Sequence, residues 1–466
     1  MDKTALGRLA SLAMPRIEAP LDAEFRPAVL ANAAFRKLAE IGEPCVIGLE
    51  RNDGARDRFE TVVQAPNNPL AQLNLPYIER IVKFLLWQRG GWRITIGGPK
   101  EIGEYIKQCY SRGGARDFDA EIVGETMFER QMEVVCCSPD EVPEAVTASK
   151  PIGRHLDGCR IGFDLGASDR KVSAVIDGET VFTEEVVWDP RGNSDPDYHY
   201  REIKSAIDAA AKHMPRIDAI GGSSAGVIIN NRVMVASLFR GVPKEEFHRV
   251  RDIFLRIGTE YGVPIEVAND GDVTALAGAM SLNEGGILGI AMGSSEAAGY
   301  VDGEGNITGW LNELAFAPID YAPTAPADEW SGDIGCGVQY LTQQTVFRLA
   351  PKVGIDLSGT EVLAEKLKTA QQKHEDGNDG ARQIWETIGT YCGYAVAHYA
   401  DFYEINQMLL LGRVTSGKGG QVIIEQVRKV LETDFSELAK SIEVNLPDEK
   451  TRRVGQAVAA ASLPKR

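Results

Sequence analysis

The chain has 466 residues, 44% hydrophobic and 25% charged, with a formal net charge of −17. Its length exceeds one compact core and predicts two or three domains, and its acidity excludes a general phosphate-backbone binder unless a local basic face exists. No apolar run approaches the roughly 20 residues that span a bilayer, and Met1-Asp-Lys-Thr-Ala-Leu lacks a basic stretch before an apolar core. A cytoplasmic protein with neither a membrane nor a nucleic-acid partner is therefore expected.

Residues 1–40 read as helical and peripheral. Residues 27–40 have apolar side chains three and four apart, with Pro27 in the first turn, where a missing N–H costs nothing. Residues 45–50 read as a strand, 77–88 as a helix with Ile78, Ile81, Val82 and Leu85 on one face, and 92–97 as a strand. A helix over 100–110 and a strand over 132–136 follow. This alternation predicts a small α/β unit, in which Gly97-Gly98-Pro99 reads as a turn. The seven cysteines are odd in number, irregular in spacing and without Cys-x-x-Cys, which predicts reduced thiols and no zinc framework. Cys136 and Cys137 read as buried strand thiols. Residues 138–158, polar and broken by Pro139, Pro143, Pro151 and Gly153, read as a connector.

The stretch 159–178 is the most informative. Ile161 and Phe163 lead into a turn with Asp164 and Gly166, and Val172, Ala174 and Ile176 alternate out of it. Such a turn presents backbone N–H groups to an anion, and glycine lets phosphate oxygens approach the main chain. Asp164 stands where a carboxylate can hold a hydrated Mg2+ beside those phosphates. A helix over 200–213, a strand over 217–222, a hairpin around Asn230-Asn231 and a helix over 244–261 come next. A strand over 265–269 then ends at Asn269-Asp270. From Gly286 the pattern restarts: a strand over 287–292, the turn Gly293-Ser294-Ser295, and a strand over 298–301. The repeat predicts two similar lobes. Residues 409–417 read as a strand ending in a loop with Gly412, Ser416 and Gly417 before a helix over 421–432. That loop can hold an anion or pack an adenosine on bare backbone. Two phosphate turns and a carboxylate at a strand end are the parts that phosphoryl transfer to a hydroxyl needs.

In this order the motifs resemble the actin-like ATPase and sugar-kinase superfamily, and most nearly the ROK family of bacterial sugar kinases and regulators, over residues 159–440. Asp164-Leu-Gly166-Ala is similar to the first phosphate motif, Met292-Gly293-Ser294-Ser295-Glu-Ala-Ala-Gly299 to the second, and Leu411-Gly412-Arg-Val-Thr-Ser to the adenosine loop. Asn269-Asp270-Gly-Asp-Val-Thr-Ala-Leu-Ala-Gly is similar to the helix start whose first Asp is the catalytic base, a position taken by Asp270. Gly309-Trp-Leu-Asn312-Glu313-Leu resembles the segment whose Glu binds sugar hydroxyls. The resemblance implies an α/β fold with two actin-like (ribonuclease H-like) lobes, 156–283 and 284–466, after an N-terminal α/β extension, 1–155, and a nucleotide cleft between the lobes. It implies ATP and Mg2+ as cofactors, a carbohydrate substrate, and an assembly compatible with a homodimer. Asp270 is the implied base. Asp164 (also for Mg2+), Gly166, Gly293, Ser294, Ser295 and Gly412 are the implied nucleotide contacts. Ser224, Gly226, Asn269 and Glu313 are the implied substrate contacts.

The chain departs from the family at named positions. Phe316 stands where a His is usual, the Cys-rich zinc loop is reduced to Cys336, a second sugar-binding Glu would fall near Val338 or Gln339, and a sugar-contacting Asn has become part of Val235-Ala-Ser237. Each lost hydrogen-bonding group leaves a hydroxyl unpaired. An ordinary hexose is therefore expected to bind poorly, and a non-catalytic sugar sensor without a DNA-binding domain is the alternative to a kinase. Gly222-Ser223-Ser224-Ala225-Gly226 also fits a hydrolase nucleophile elbow with Ser224 as nucleophile. That elbow must enter a helix, whereas 227–235 reads as a hairpin. Asp272 reads as a better helix cap than Asp270. The six histidines show no metal spacing; His398 reads as a helix-surface or core residue. Arg413 reads as a solvated charge or a phosphate partner.

Overall fold

The computed structural model describes residues 3–146, 152–235, 238–446 and 449–465. The chain divides into two compact units, one of residues 1–148, 290–298 and 310–446, the other of 149–289, 299–309 and 447–466. Among the described residues no helix is long and apolar enough to cross a membrane.

In the first unit, β1 (Glu43–Glu50), β2 (Arg56–Val63), β3 (Arg93–Gly97) and β4 (Glu133–Cys137) form a sheet of order β2-β1-β3-β4. The expected strand–helix alternation is present, with helices at Asn74–Arg89 and Lys100–Cys109. β2 was not anticipated, because Arg56-Asp-Arg has no apolar alternation to signal a strand; its pairing with β1 supplies the order. β4 lies at a sheet edge, and so Cys136 is exposed and Cys137 half-buried, contrary to the expectation of buried thiols. Gly97 is required by packing, since a Cβ there would lie 2.4 Å from the Val142 side chain.

The first forty residues are not peripheral. Leu6, Leu9 and Phe35 are fully buried, and the Phe35 ring stacks on Tyr77 at 4.1 Å. The helix Asn74–Arg89 is buried on every side rather than on one apolar face, including Glu79, Arg80, Lys83 and Gln88. Buried charge demands partners, and here it has them. Arg80 reaches Asp333 (3.0 Å) and Glu79 (2.8 Å); Lys83 reaches Asp119 (3.0 Å) and Asp333 (3.3 Å). Arg116 pairs with Glu79 and with Asp333. The helix Asp379–Tyr399 completes this core. Phe84 lies 4.1 Å from Phe402 and edge-on to His398 at 4.8 Å. Burial, then the charge of Arg36, pushes the His398 imidazole down to about 3, so it is a neutral core histidine.

In the second unit, β5 (Cys159–Leu165), β6 (Asp169–Ile176), β7 (Glu179–Val187), β8 (Ala219–Ser224), the hairpin β9 (Val227–Ile229) and β10 (Arg232–Val235), and β11 (Ile265–Asn269) follow in chain order. The main sheet runs β11-β8-β5-β6-β7, antiparallel from β5 to β7 and parallel from β5 through β8 to β11. Asn230 and Asn231 turn the hairpin with φ of 52° and 62°, as Asn-rich two-residue turns require. The expected helix over 244–261 is broken at Asp252 into Phe247–Arg251 and Ile253–Tyr261. The helix Glu449–Ala461 lies directly on the sheet: a Cβ at Gly162 would meet Ala457 O at 1.9 Å. A last sheet, of order β13-β12-β14-β15, contains β12 (Ile287–Met292), β13 (Glu296–Val301), β14 (Gln407–Leu411) and β15 (Glu443–Asn445), of which β14, β15 and residues 290–298 belong to the first unit.

Candidate active site

Register builds the first half of the site. Asp164 on β5 is paired with Lys171 on β6 and with Ser223 on β8, and residues opposite each other across strands share a face. Ser223 Oγ donates to Asp164 Oδ1 at 2.7 Å, and Lys171 Nζ stands 3.6 Å from Asp164 Oδ2 and 2.8 Å from Asp169 Oδ1. Burial pushes the Asp164 carboxyl above its ordinary value, opposed by the Ser223 hydrogen bond and the Lys171 charge. The Gly166 amide donates to Asp169 O (2.9 Å), and Gly166 O accepts from Trp188 Nε1 (2.8 Å). Gly166 therefore closes the turn, and the amides of Ala167 and Ser168 are those the turn can offer an anion.

The second part lies where β11 ends. Asn269, in register with Ser224, is the N-cap of the helix Asp270–Leu282; its Oδ1 accepts from the Gly271 amide at 2.7 Å. Its Nδ2 donates to Gly226 O at 2.9 Å, which ties the substrate-loop candidate Gly226 to the helix start. Neither Asp270 nor Asp272 is the cap. Asp272 is buried and accepts from the Tyr300 amide at 3.1 Å instead. Asp270, in the first turn, is pushed up to about 6 by burial and then by the negative charge of Asp164, against the pull of the Gly271 amide. Ser224 ends β8, and β9 follows where an elbow would need a helix, so the hydrolase arrangement is not formed. Ala236 and Ser237, which bear on the altered sugar contact, lie outside the described residues.

In the first unit, the turn after β12 repeats the self-closing pattern. The Gly293 amide donates to Ser295 O at 3.1 Å, and Gly293 O accepts from the Gln343 amide at 3.0 Å, while Ser294 and Ser295 are exposed. The next residue, Glu296, carried no signal in the sequence reading. It is buried, its Oε1 accepts from Tyr399 OH at 3.4 Å, and burial and then the Glu313 charge push it up to about 8. Glu313 is half-buried. Its amide donates to Trp87 O (3.0 Å) and that of Asn312 to Gln88 O (2.9 Å), while Phe316 stacks on Trp87 at 4.2 Å. The helix Asn74–Arg89 thus carries the candidate substrate segment. Gly412, at φ 94°, permits close backbone approach: a Cβ there would lie 2.4 Å from Met292 O. The helix Lys418–Asp434 behind this loop already has an anion at its start, because the Lys418 amide donates to Glu375 Oε1 at 2.9 Å. That favours adenosine packing over phosphate binding at this loop. Arg413 is exposed.

Among the described residues no group of three or more His, Cys, Asp or Glu side chains is placed to hold a metal ion. Mg2+ needs only one or two carboxylates when substrate phosphates and waters complete its shell. Asp164 fits an ion that arrives with a triphosphate rather than one caged by protein.

The chain matches no protein-family model, and no curated protein matches it in sequence. Solved structures match it in fold. A ROK family transcriptional regulator, a homolog of the E. coli MLC protein, superposes with a TM-score of 0.53 at 17% identity, over 66% of this chain and 79% of that one. A ROK hexokinase from Thermus thermophilus superposes with a TM-score of 0.51 at 17% identity, over 65% of this chain and 97% of that one. The chain has the actin-like fold of the ROK proteins. In this ROK-fold chain the Asp164 turn and Asp270 belong to one compact unit, and the Gly293 turn, Glu313 and Gly412 to the other.

Proposed function

We propose that the protein transfers the γ-phosphoryl group of ATP, with Mg2+, to a hydroxyl of a sugar or sugar derivative, with Asp270 as general base. Asp270 is the observation that supports this reading most. It stands at a strand end on a capped helix, and its carboxyl, pushed up to about 6, is ionised at neutral pH yet basic enough to take an alcohol proton. The hydroxyl proton passes to Asp270, the new O–P bond forms, and the bond from the γ-phosphorus to the β-bridging oxygen breaks to release ADP. Ala167 and Ser168 amides, with Ser294 and Ser295, bind phosphate oxygens; Gly412 admits the adenosine; Asn269 and Gly226 set the geometry around Asp270; Glu313 binds substrate hydroxyls. Asp164 holds the Mg2+, which when bound neutralises charge on the β- and γ-phosphates.

A non-catalytic sensor is the second reading, favoured by Phe316, whose ring packs on Trp87 where a polar sugar contact is usual in the family. A coupled ADP assay across a carbohydrate panel separates the two. Kinase activity predicts turnover with at least one sugar derivative, lost in Asp270→Asn. A carbohydrate that raises thermal stability without ADP release supports the sensor.

A further inference from the structure

The helix Asn74–Arg89 ends beside the candidate substrate segment, and its last residue is an arginine with too little counter-charge. Gly90, at φ 80°, closes the helix; a Cβ there would lie 2.8 Å from the Leu311 side chain, so the helix end packs directly on the 310–313 segment. Arg51, just past β1, donates from Nη1 to Arg89 O at 3.1 Å and satisfies a carbonyl of the same helix end. The two arginines share one carboxylate. Asp57 of β2 stands 3.2 Å from Arg51 Nη1 and 3.4 Å from Arg89 Nη1, and among the described residues neither arginine has an ion pair with any other acid. Arg51 is buried, and its Nε has no hydrogen-bond partner among the described residues. The Arg89 guanidinium offers five N–H donors. Asp57 Oδ1 and Gln88 Oε1 accept two of them, both at 3.4 Å, the long limit for a hydrogen bond. Its side chain is 13% exposed, so it is not sealed in the core. Burial holds it below the ordinary arginine value, and the Asp57 charge does not restore it. Arg89 Cζ lies over the Trp310 ring, 4.8 Å from its centroid. Trp310 packs on Tyr403 at 5.8 Å, and Tyr403 OH donates to Asn312 Oδ1 at 2.9 Å. This row leads from Arg89 to Asn312-Glu313, and two arginines on one carboxylate leave one positive charge over.

We propose that Arg89, backed by Arg51, binds an anionic substituent, carboxylate or phosphate, on the carbohydrate that Glu313 holds, so that the substrate class is anionic sugars rather than neutral hexoses. This rests on the carbohydrate reading of the Asn312-Glu313 segment, which the kinase and the sensor share. A planar guanidinium meets a carboxylate or phosphate with two parallel N–H···O bonds, and a stacked ring fixes its plane. An arginine that only closes a helix end makes a different prediction: its variants lose stability, and neutral and anionic carbohydrates are affected alike.

The test is calorimetric binding to the full chain, without nucleotide, of the uronate, the primary phosphate ester and the neutral parent of glucose, galactose and mannose. The expected result is at least one anionic member bound roughly tenfold or more tighter than its parent. Uronates against esters tells carboxylate from phosphate. In Arg89→Gln that advantage disappears while the affinity of the parent is kept. Arg89→Lys retains part of it for a phosphate and less for a carboxylate, which loses its two-bonded fit. If the variants fail to fold, the wild type decides: salt raised to about 0.5 M weakens the anionic member and leaves its parent unchanged. Neutral parents bound as tightly as their anionic partners, or an Arg89→Gln variant that loses both to the same degree, overturns the role of Arg89 and leaves the carbohydrate reading intact. Binding of no member of the panel overturns both. Because the readout is binding, ADP release has no bearing on it.

Discussion

Asp270→Asn should raise stability as it removes activity, and the pH at which it does so is fixed by the site. The Asp270 carboxyl moves from an ordinary 3.8 to about 6 in the folded chain, because it is buried beside the charge of Asp164. Below about pH 4 the carboxyl is protonated in both folded and unfolded chains, and no cost arises. Between about pH 4 and 6 the folded state keeps a proton that the unfolded chain releases, so stability falls as pH rises. Above that window the cost is constant, on the order of 3 kcal/mol from about 1.4 kcal/mol per pH unit. Partial exposure of the side chain reduces it toward about 1–2 kcal/mol. Asparagine retains an acceptor for the Gly271 amide and never ionises. Thermal melts of wild type and Asp270→Asn from pH 4 to pH 8 should therefore coincide at the acid end. They should separate by roughly 1–2 °C at pH 7 and above, with the variant higher, because a 466-residue chain has an unfolding entropy on the order of 1 kcal/mol/K. Turnover of the accepted carbohydrate should fall by about 10²–10⁴, with Mg-ATP binding retained. A melting difference that does not change with pH, or a variant less stable than wild type at pH 8, would refute the claim that Asp270 sits as a strained, ionised base.

Glu296→Gln should show the same sign over a wider window. Glu296 is held up to about 8, so the variant's advantage in melting temperature should grow from about pH 4 to pH 8 and then level off; a flat difference would show that the acid is not buried in its neutral form. Asp333→Asn should cost about 3–5 kcal/mol in urea denaturation, because Arg80, Lys83 and Arg116 lose their shared counter-charge; a loss under about 1 kcal/mol would mean that the ion pairs are not desolvated. Trp87→Leu should raise the KM for carbohydrate roughly tenfold and leave that for ATP unchanged, since Trp87 supports Phe316 and its carbonyl accepts from Glu313. Equal changes in both constants would make the effect a general loss of folding.

The parts of the fold that were legible in the chain are those written in local periodicity. The Asp164 hairpin, the Asn230-Asn231 turn and the strand leading to Asn269-Asp270 each carry their own signal within a few residues. The Lys171–Asp164–Ser223 row was not legible, although all three residues lie in motifs that attracted attention, because their meeting depends on the register of two strand pairings. The helix Asn74–Arg89 misled for a related reason. The sequence places Ile78, Ile81, Val82 and Leu85 on one face and carries no signal that Glu79, Arg80 and Lys83 are buried too. Their partners are Asp119, 36 residues from Lys83, and Asp333, 253 residues from Arg80. No window of sequence holds both ends of such a pair. The first forty residues looked peripheral because their helices are short, and what buries them includes the helix Asp379–Tyr399: Asp22 accepts from Tyr391 OH at 2.6 Å.

On the kinase reading, the N-terminal residues account for the departures of the Asn312-Glu313 segment from the ROK motif pattern while the Asp164 and Asp270 motifs keep it. The Asn312-Glu313 segment hangs by two amide hydrogen bonds from the carbonyls of Gln88 and Trp87, at the end of a helix contributed by those residues. Phe316 packs on the Trp87 ring, so an apolar side chain there is what this scaffold needs. Cys336 lies beside the buried charges rather than in a cluster of thiols, and Asp333, three residues before it, ties its loop to Arg80 and Lys83. Glu296, buried at the start of β13, adds a neutral acid next to Glu313. On that reading, a substrate segment rebuilt on these supports would select for a different set of hydroxyl and substituent positions than an ordinary hexose presents, because each unmatched buried polar group costs affinity. The Asp164 turn and Asp270 are held by Ser223, Asn269 and the strand ends of the other unit, none of which depends on that support. On the kinase reading, the substrate segment can therefore change while Asp164 and Asp270 stay in place.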